Sequence, residues 1–246
     1  GNVALDTEPG ANAGANVTID SAGGGGTVDG AFTLTIDGGT GGSVVVDGDI
    51  GATTDPTGFT VTQAAQVDLA NVDVDGSGSA VGINITGTNI DLNGTTYRII
   101  GGAGNNDPIT FDGAVDLHAN VTITGAGNNG AGDAVTMTGQ VNADVATNGR
   151  SLSIQASGGN VSLQSAAGAG QALEGGVTLN GAAVSTQAIT TTAASANTDG
   201  GAVNIDGSGS VTISGVITAT GTGTGGGGGV SVDASGANAV SLEAIT

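Results

Sequence analysis

The chain has no cysteine, no tryptophan and no lysine, so disulfides neither staple it nor reveal its compartment. Its only basic side chains are Arg98 and Arg150, beside one histidine, His118, against 22 acids and a net charge of −20. Nucleic-acid binding rests on Lys and Arg contacts to phosphate, and that balance excludes it. The same deficit excludes docking on an anionic membrane surface. No apolar run is long enough for a helical membrane span, which takes about 20 residues. Aromatic residues are reduced to Phe32, Phe59, Tyr97 and Phe111, fewer than a globular core of this length normally uses.

What the chain has is glycine, 50 in 246 residues, and many short apolar segments built from Val, Ile, Leu and Ala. Glycine at that level would suit a disordered chain, but the apolar positions are periodic, and disorder has no reason to keep a period. Residues 108–141 carry the pattern most clearly. Ile109 and Phe111 flank Thr110, Val115 and Leu117 flank Asp116, and Val121 and Ile123 flank Thr122. Spacing of two places the apolar side chains on one face of a strand and the polar ones on the other.

A longer period is superposed. The step from Ile83 to Ile109 is 26 (109 − 83), as are those from Ile109 to Val135 and from Val135 to Val161. Val177 to Val203 is also 26, and Val203 to Val230 is 27. A parallel track runs from Val115 to Val141 (26) and from Val184 to Val211 (27). Self-similarity at this period marks a solenoid. The fold expected is all-β: a single-stranded parallel β-helix with about 26 residues per turn, no helices and three short strands in each turn. Dividing 246 by 26 gives roughly nine turns, a rod of about 45 Å if strands one turn apart stack about 4.8 Å apart. Residues 1–246 read as one continuous solenoid, less regular over 1–58. The chain opens on GNVALD and closes on Ile245-Thr246 within the pattern, which reads as a piece of a longer repetitive chain.

The corners have their own signal. Asp37-Gly38, Asp47-Gly48, Asp75-Gly76, Asn93-Gly94, Asp112-Gly113, Asn180-Gly181 and Asp206-Gly207 each follow a strand. These residue types tolerate the left-handed conformation of a sharp turn. The glycine-rich runs at 23–26, 101–107 and 125–133 read as loops.

The stretch ITFDGAVDLHANVTITG, followed one period on by VTMTGQV, resembles the repeat region of filamentous-haemagglutinin-type bacterial exoproteins, best over residues 82–215. The resemblance implies a right-handed parallel β-helix and an extracellular stalk or adhesive fibre without catalytic residues.

Candidate sites are few. Asn71, Asp73, Asp75 and Gly76 match the first half of a calcium loop, N-x-D-x-D-G, but the twelfth position, where a bidentate Glu belongs, is Gly82. Val72 and Val74 in the same segment also fit an ordinary strand. His118 reads as a surface histidine with no partner near it in sequence. Tyr97 and Arg98 on one strand suggest a sugar-binding patch. Threonines at 33 and 35, and at 218, 220, 222 and 224, read as scattered rather than repeated turn after turn. Asn16, Asn84, Asn93, Asn120 and Asn160 lie in N-x-S/T sequons that this composition produces by chance.

The function expected is a non-enzymatic structural or adhesive fibre segment, secreted or at a cell surface. It would stack end to end through the unpaired strand edges of its terminal turns, with surface glycans as candidate ligands and no cofactor beyond calcium. The alternatives are a carbohydrate-binding or carbohydrate-active β-helix and a calcium-stabilised surface module.

Overall fold

The computed structural model describes residues 1–8, 13–20, 26–76, 81–100, 107–126, 134–156, 158–235 and 240–246. The glycine-rich runs expected as loops at 23–26, 101–107 and 125–133 fall largely outside these residues. Among them, every strand pairs in parallel with the equivalent strand of a neighbouring turn. The pairs Ile83↔Ile109, Ile109↔Val135, Val135↔Val161, Val161↔Val184 and Val184↔Val211 join into one column. This is the expected parallel β-solenoid. Short strands rich in Val, Ile and Thr lack the length to bury a face alone, so each completes its backbone hydrogen bonds on the turns above and below.

Most turns contribute three strand segments, which stack into three ladders; in one turn the second ladder continues only through a bridge at Ala167. In the fourth rung, residues 83–86 belong to the first ladder and 89–92 to the second, both within the strand Gly82–Leu92, and Thr96–Ile100 belongs to the third. The first and second ladders meet at a shallow corner, where the pairing register shifts between Thr86 and Asn89. The third ladder forms its own nine-stranded sheet. Along the first ladder, eight rungs carry a buried lead residue: Leu34, Phe59, Ile83, Ile109, Val135, Val161, Val184 and Val211. The end rungs, led by Val3 and Val240, are each 39% exposed because nothing described covers their outer side. Steps between lead residues run from 23 (184 − 161) to 31 (34 − 3), and the surplus is absorbed in the corners rather than the strands.

The interior is a narrow column of aliphatic side chains, each fully buried one stabilising by about 1.5–3 kcal/mol. Three of the four rings enter it. Phe59, Tyr97 and Phe111 are fully buried, and Tyr97 meets Phe111 edge to face with centroids 5.9 Å apart. Thr186 and Thr191 also point inward, and their hydroxyls donate to the carbonyls of Gln187 at 3.2 Å and Gly201 at 2.6 Å. The only helical feature among the described residues is a 3-10 turn at Ala146–Asn148, ended by Gly149 in the left-handed conformation.

The Asx-Gly corners are explained differently from the expectation. Of those glycines, Gly113 has a positive φ, +149°, and a Cβ there would lie 1.8 Å from the Gly87 carbonyl oxygen of the turn before. Gly94 has an ordinary backbone, but a Cβ would lie 2.5 Å from the Asn71 amide nitrogen. At Gly94 and Gly113, close approach between turns is what demands glycine.

Candidate functional site

The outward faces of the ladders carry the polar groups that a ligand could meet. The third ladder has a depression of mixed charge, about 310 Å³, lined by Asp49, Ala52, Asn71, Asp73, Thr96 and Arg98. Strand alternation places Asp73 and Arg98 outward, and the parallel register sets them opposite each other. Arg98 donates from Nε to Asp73 Oδ1 at 2.9 Å and from Nη2 to Asp73 Oδ2 at 2.6 Å. This two-pronged pairing is the strong geometry for guanidinium and carboxylate. The Arg98 side chain remains 43% exposed at the edge of the depression. Beside it, burial pushes the Asp55 carboxyl up, with a further push from Asp73 and an opposing pull from Arg98.

Asn71 sits in the corner leading into this ladder. Its Oδ1 accepts from the amides of Thr95 at 2.8 Å and Thr96 at 3.0 Å, one turn on, and its Nδ2 donates to Asp49 Oδ1 at 3.0 Å. The side-chain oxygens of Asn71 and Asp73, two of the three calcium candidates, thus have protein partners. Asp75 lies further along the strand, opposite Ile100. A cation there would compete with Arg98 for Asp73 and with two amides for Asn71. Among the described residues, no group of three or more His, Asp or Glu side chains is placed to hold a metal ion.

The pairing of Tyr97 with Arg98 as a sugar patch is corrected by the same alternation. Neighbours on a strand face opposite ways, and Tyr97 points into the core. Its hydroxyl donates to the Leu69 carbonyl at 2.9 Å and accepts from the Gly94 amide at 3.1 Å. Burial pushes its phenol well above the ordinary range. It offers no stacking platform to a ligand.

His118 is not isolated. Its Nε2 lies 3.6 Å from Asp91 and its Nδ1 3.9 Å from Asp144. Asp144 is itself clamped by Arg150, at 2.8 Å to Nε and 2.9 Å to Nη2, and that pairing holds its carboxyl well below the usual range. These partners were invisible locally because Asp91 and Asp144 stand 27 (118 − 91) and 26 (144 − 118) positions away, one turn to either side.

The outward side of the first ladder holds a feature that reading along the chain missed. Thr35, Thr60, Asn84, Thr110, Thr136, Ser162, Ser185, Thr212 and Ser241 occupy one register position on successive rungs. Hydroxyl and amide groups are therefore repeated turn after turn, although of the T-x-T threonines only Thr35 belongs to this column. The signal lay at steps of one whole turn, not at alternate positions along a strand.

Three sequon asparagines also have structural roles. Asn16, Asn120 and Asn160 each accept, through Oδ1, a backbone N–H of the following turn, from Ser43, Ser151 and Ala183. Comparison with protein-family models, with curated proteins and with solved structures finds no match to this chain.

Proposed function

We propose that the chain is a structural or adhesive segment of an extracellular fibre, of the kind found in filamentous-haemagglutinin-type bacterial exoproteins, and that it catalyses no reaction. The observation that carries this reading is the unbroken run of parallel rungs from Val3 to Val240, a rod whose interior is filled by side chains. An acidic, lysine-free surface keeps such a rod soluble and resistant to unspecific contact. The end rungs support stacking. Val240 and Leu242 at one end, and Val3 and Leu5 at the other, are exposed on strands paired on one side only among the described residues. Either edge would accept the next turn of a longer chain or the first turn of another copy.

Cryo-electron microscopy of the undiluted protein tests this. Continuous fibres with a layer spacing of about 4.8 Å support stacking, and separate short rods at high concentration overturn it. Release of sugar from a polysaccharide panel would overturn the non-enzymatic reading.

A second reading, recognition of a surface glycan, has its own observation in the Arg98 depression. The Arg98–Asp73 pair is neutral and presents donors and acceptors side by side, while the surrounding carboxylates repel anions. The ligand class is an uncharged saccharide. Binding to neutral glycans on an array, lost in Arg98→Gln, supports it, and an array without signal overturns it.

A further inference from the structure

Three aspartates stand one above another on the outward side of the second ladder. Asp68 lies opposite Asp91, and Asp91 opposite Asp116, each one rung apart. Val45 precedes the row and Asn142 follows it, so charge is confined to three consecutive rungs. Like charges directly opposite on paired strands oppose the pairing. These side chains are also half-buried, and that of Asp91 is only 25% exposed. Gln66 donates to Asp68 Oδ1 at 2.8 Å. The charged groups flanking the row are His118, which reaches Asp91, and Asp144 beyond it, whose charge is already matched by Arg150. No described cation other than His118 is within ion-pairing distance of the row.

We propose that Asp68, Asp91 and Asp116, with His118 at their edge, form a proton-operated clasp across three consecutive turns, which hold together more tightly in mild acid than at neutral pH. A protonated carboxyl donates to the carboxylate on the neighbouring rung, so proton uptake replaces repulsion by a short hydrogen bond. Burial, as the leading cause, raises the carboxyls of both Asp91 and Asp116. Asp68 adds to the rise at Asp91 and Asp144 to that at Asp116, while Gln66 opposes it at Asp91 and His118 opposes it at both. A carboxyl raised on folding contributes stability that is full below the ordinary carboxylate range and lost as pH rises through its raised value. That is the reverse of Asp144, whose contribution declines as pH falls below the ordinary carboxylate range.

The test uses the unmodified chain with EDTA present. Carbon-13 NMR titration of the Asp91 and Asp116 carboxyls reads the midpoints directly. Hydrogen exchange at pH 5 and pH 7, corrected for intrinsic rate, reads opening of residues 66–69, 89–92 and 114–117. The expected result is a midpoint above the ordinary carboxylate range for at least one of the two, with opening of these strands rarer at pH 5 than at pH 7. Asp91→Asn at pH 7 should then exchange as slowly as the unmodified chain at pH 5. Midpoints within the ordinary range overturn the proposal, even if the variant does not fold. So does a pH dependence of opening that survives in the double variant Asp91→Asn/Asp116→Asn.

Discussion

Between the second and third ladders the backbone turns, and there the amides of Thr95 and Thr96 have no ladder partner in the turn before. Asn71 Oδ1 supplies the acceptor instead. Asn71→Ala would leave both amides without that acceptor, that of Thr96 half-buried and that of Thr95 exposed to water. Thermal or denaturant unfolding should show a loss of about 1 kcal/mol, chiefly the cost of the orphaned Thr96 donor. Asn71→Asp keeps the acceptor and should recover most of the loss, although it sets a carboxylate against Asp49. Tyr97 teaches the complementary lesson. Its place was readable, since alternation with Arg98 assigns one of them inward, but chemical type alone suggested a shared surface patch. An isolated ring in a nearly ring-free chain fills volume against Phe111 rather than meeting a ligand.

At the scale of the element, a strand of this fold is defined by its position in a ladder, and electrostatics follow the ladder too. Asp144 is held by Arg150 across the corner that contains the 3-10 turn. Its carboxyl is lowered on folding, chiefly by the Arg150 hydrogen bonds. The stability from this pair is therefore present above the ordinary carboxylate range and lost as pH falls through the lowered value. Asp144→Asn should cost about 2 kcal/mol at pH 7, since both partners are half-buried and the pairing is two-pronged. The gap from the unmodified chain should narrow as pH falls below about 4. Melting curves at pH 7, 5 and 3 check this.

The elements themselves were legible because their apolar lead residues recur at nearly constant spacing, as from Ile83 to Ile109 to Val135. The outward groups were less so. His118 and Asp91, or Thr110 and Thr136, are neighbours only once the chain is wound, and no local window contains both. Thr186 and Thr191 broke the rule that inward means apolar, because each hydroxyl finds a carbonyl nearby. The 3-10 turn carried no sequence signal beyond Gly149.

The whole molecule behaves as a stack whose stability is a sum over turns and the interfaces between them. Removing residues 109–134, one period, would let Val135 take the place of Ile109 beneath Ile83. The shortened chain should fold with its strand content per residue unchanged, as far-ultraviolet circular dichroism would report. Deleting half a period instead would set one ladder's residues against another's and expose apolar faces. That variant should aggregate or unfold.

The end rungs have a mechanical consequence. Pulled by its two termini, the rod has no central core that must rupture at once. Load falls on the outermost rungs, where Val3 and Val240 have neighbours on one side only among the described residues. The chain should unwind from its ends like thread from a spool. Each turn of about 26 residues would release roughly 90 Å of contour, giving a train of similar, modest force peaks in place of one large one. A tether built this way lengthens under a sudden tug, keeps the remaining turns intact, and rewinds onto the template of the last surviving rung.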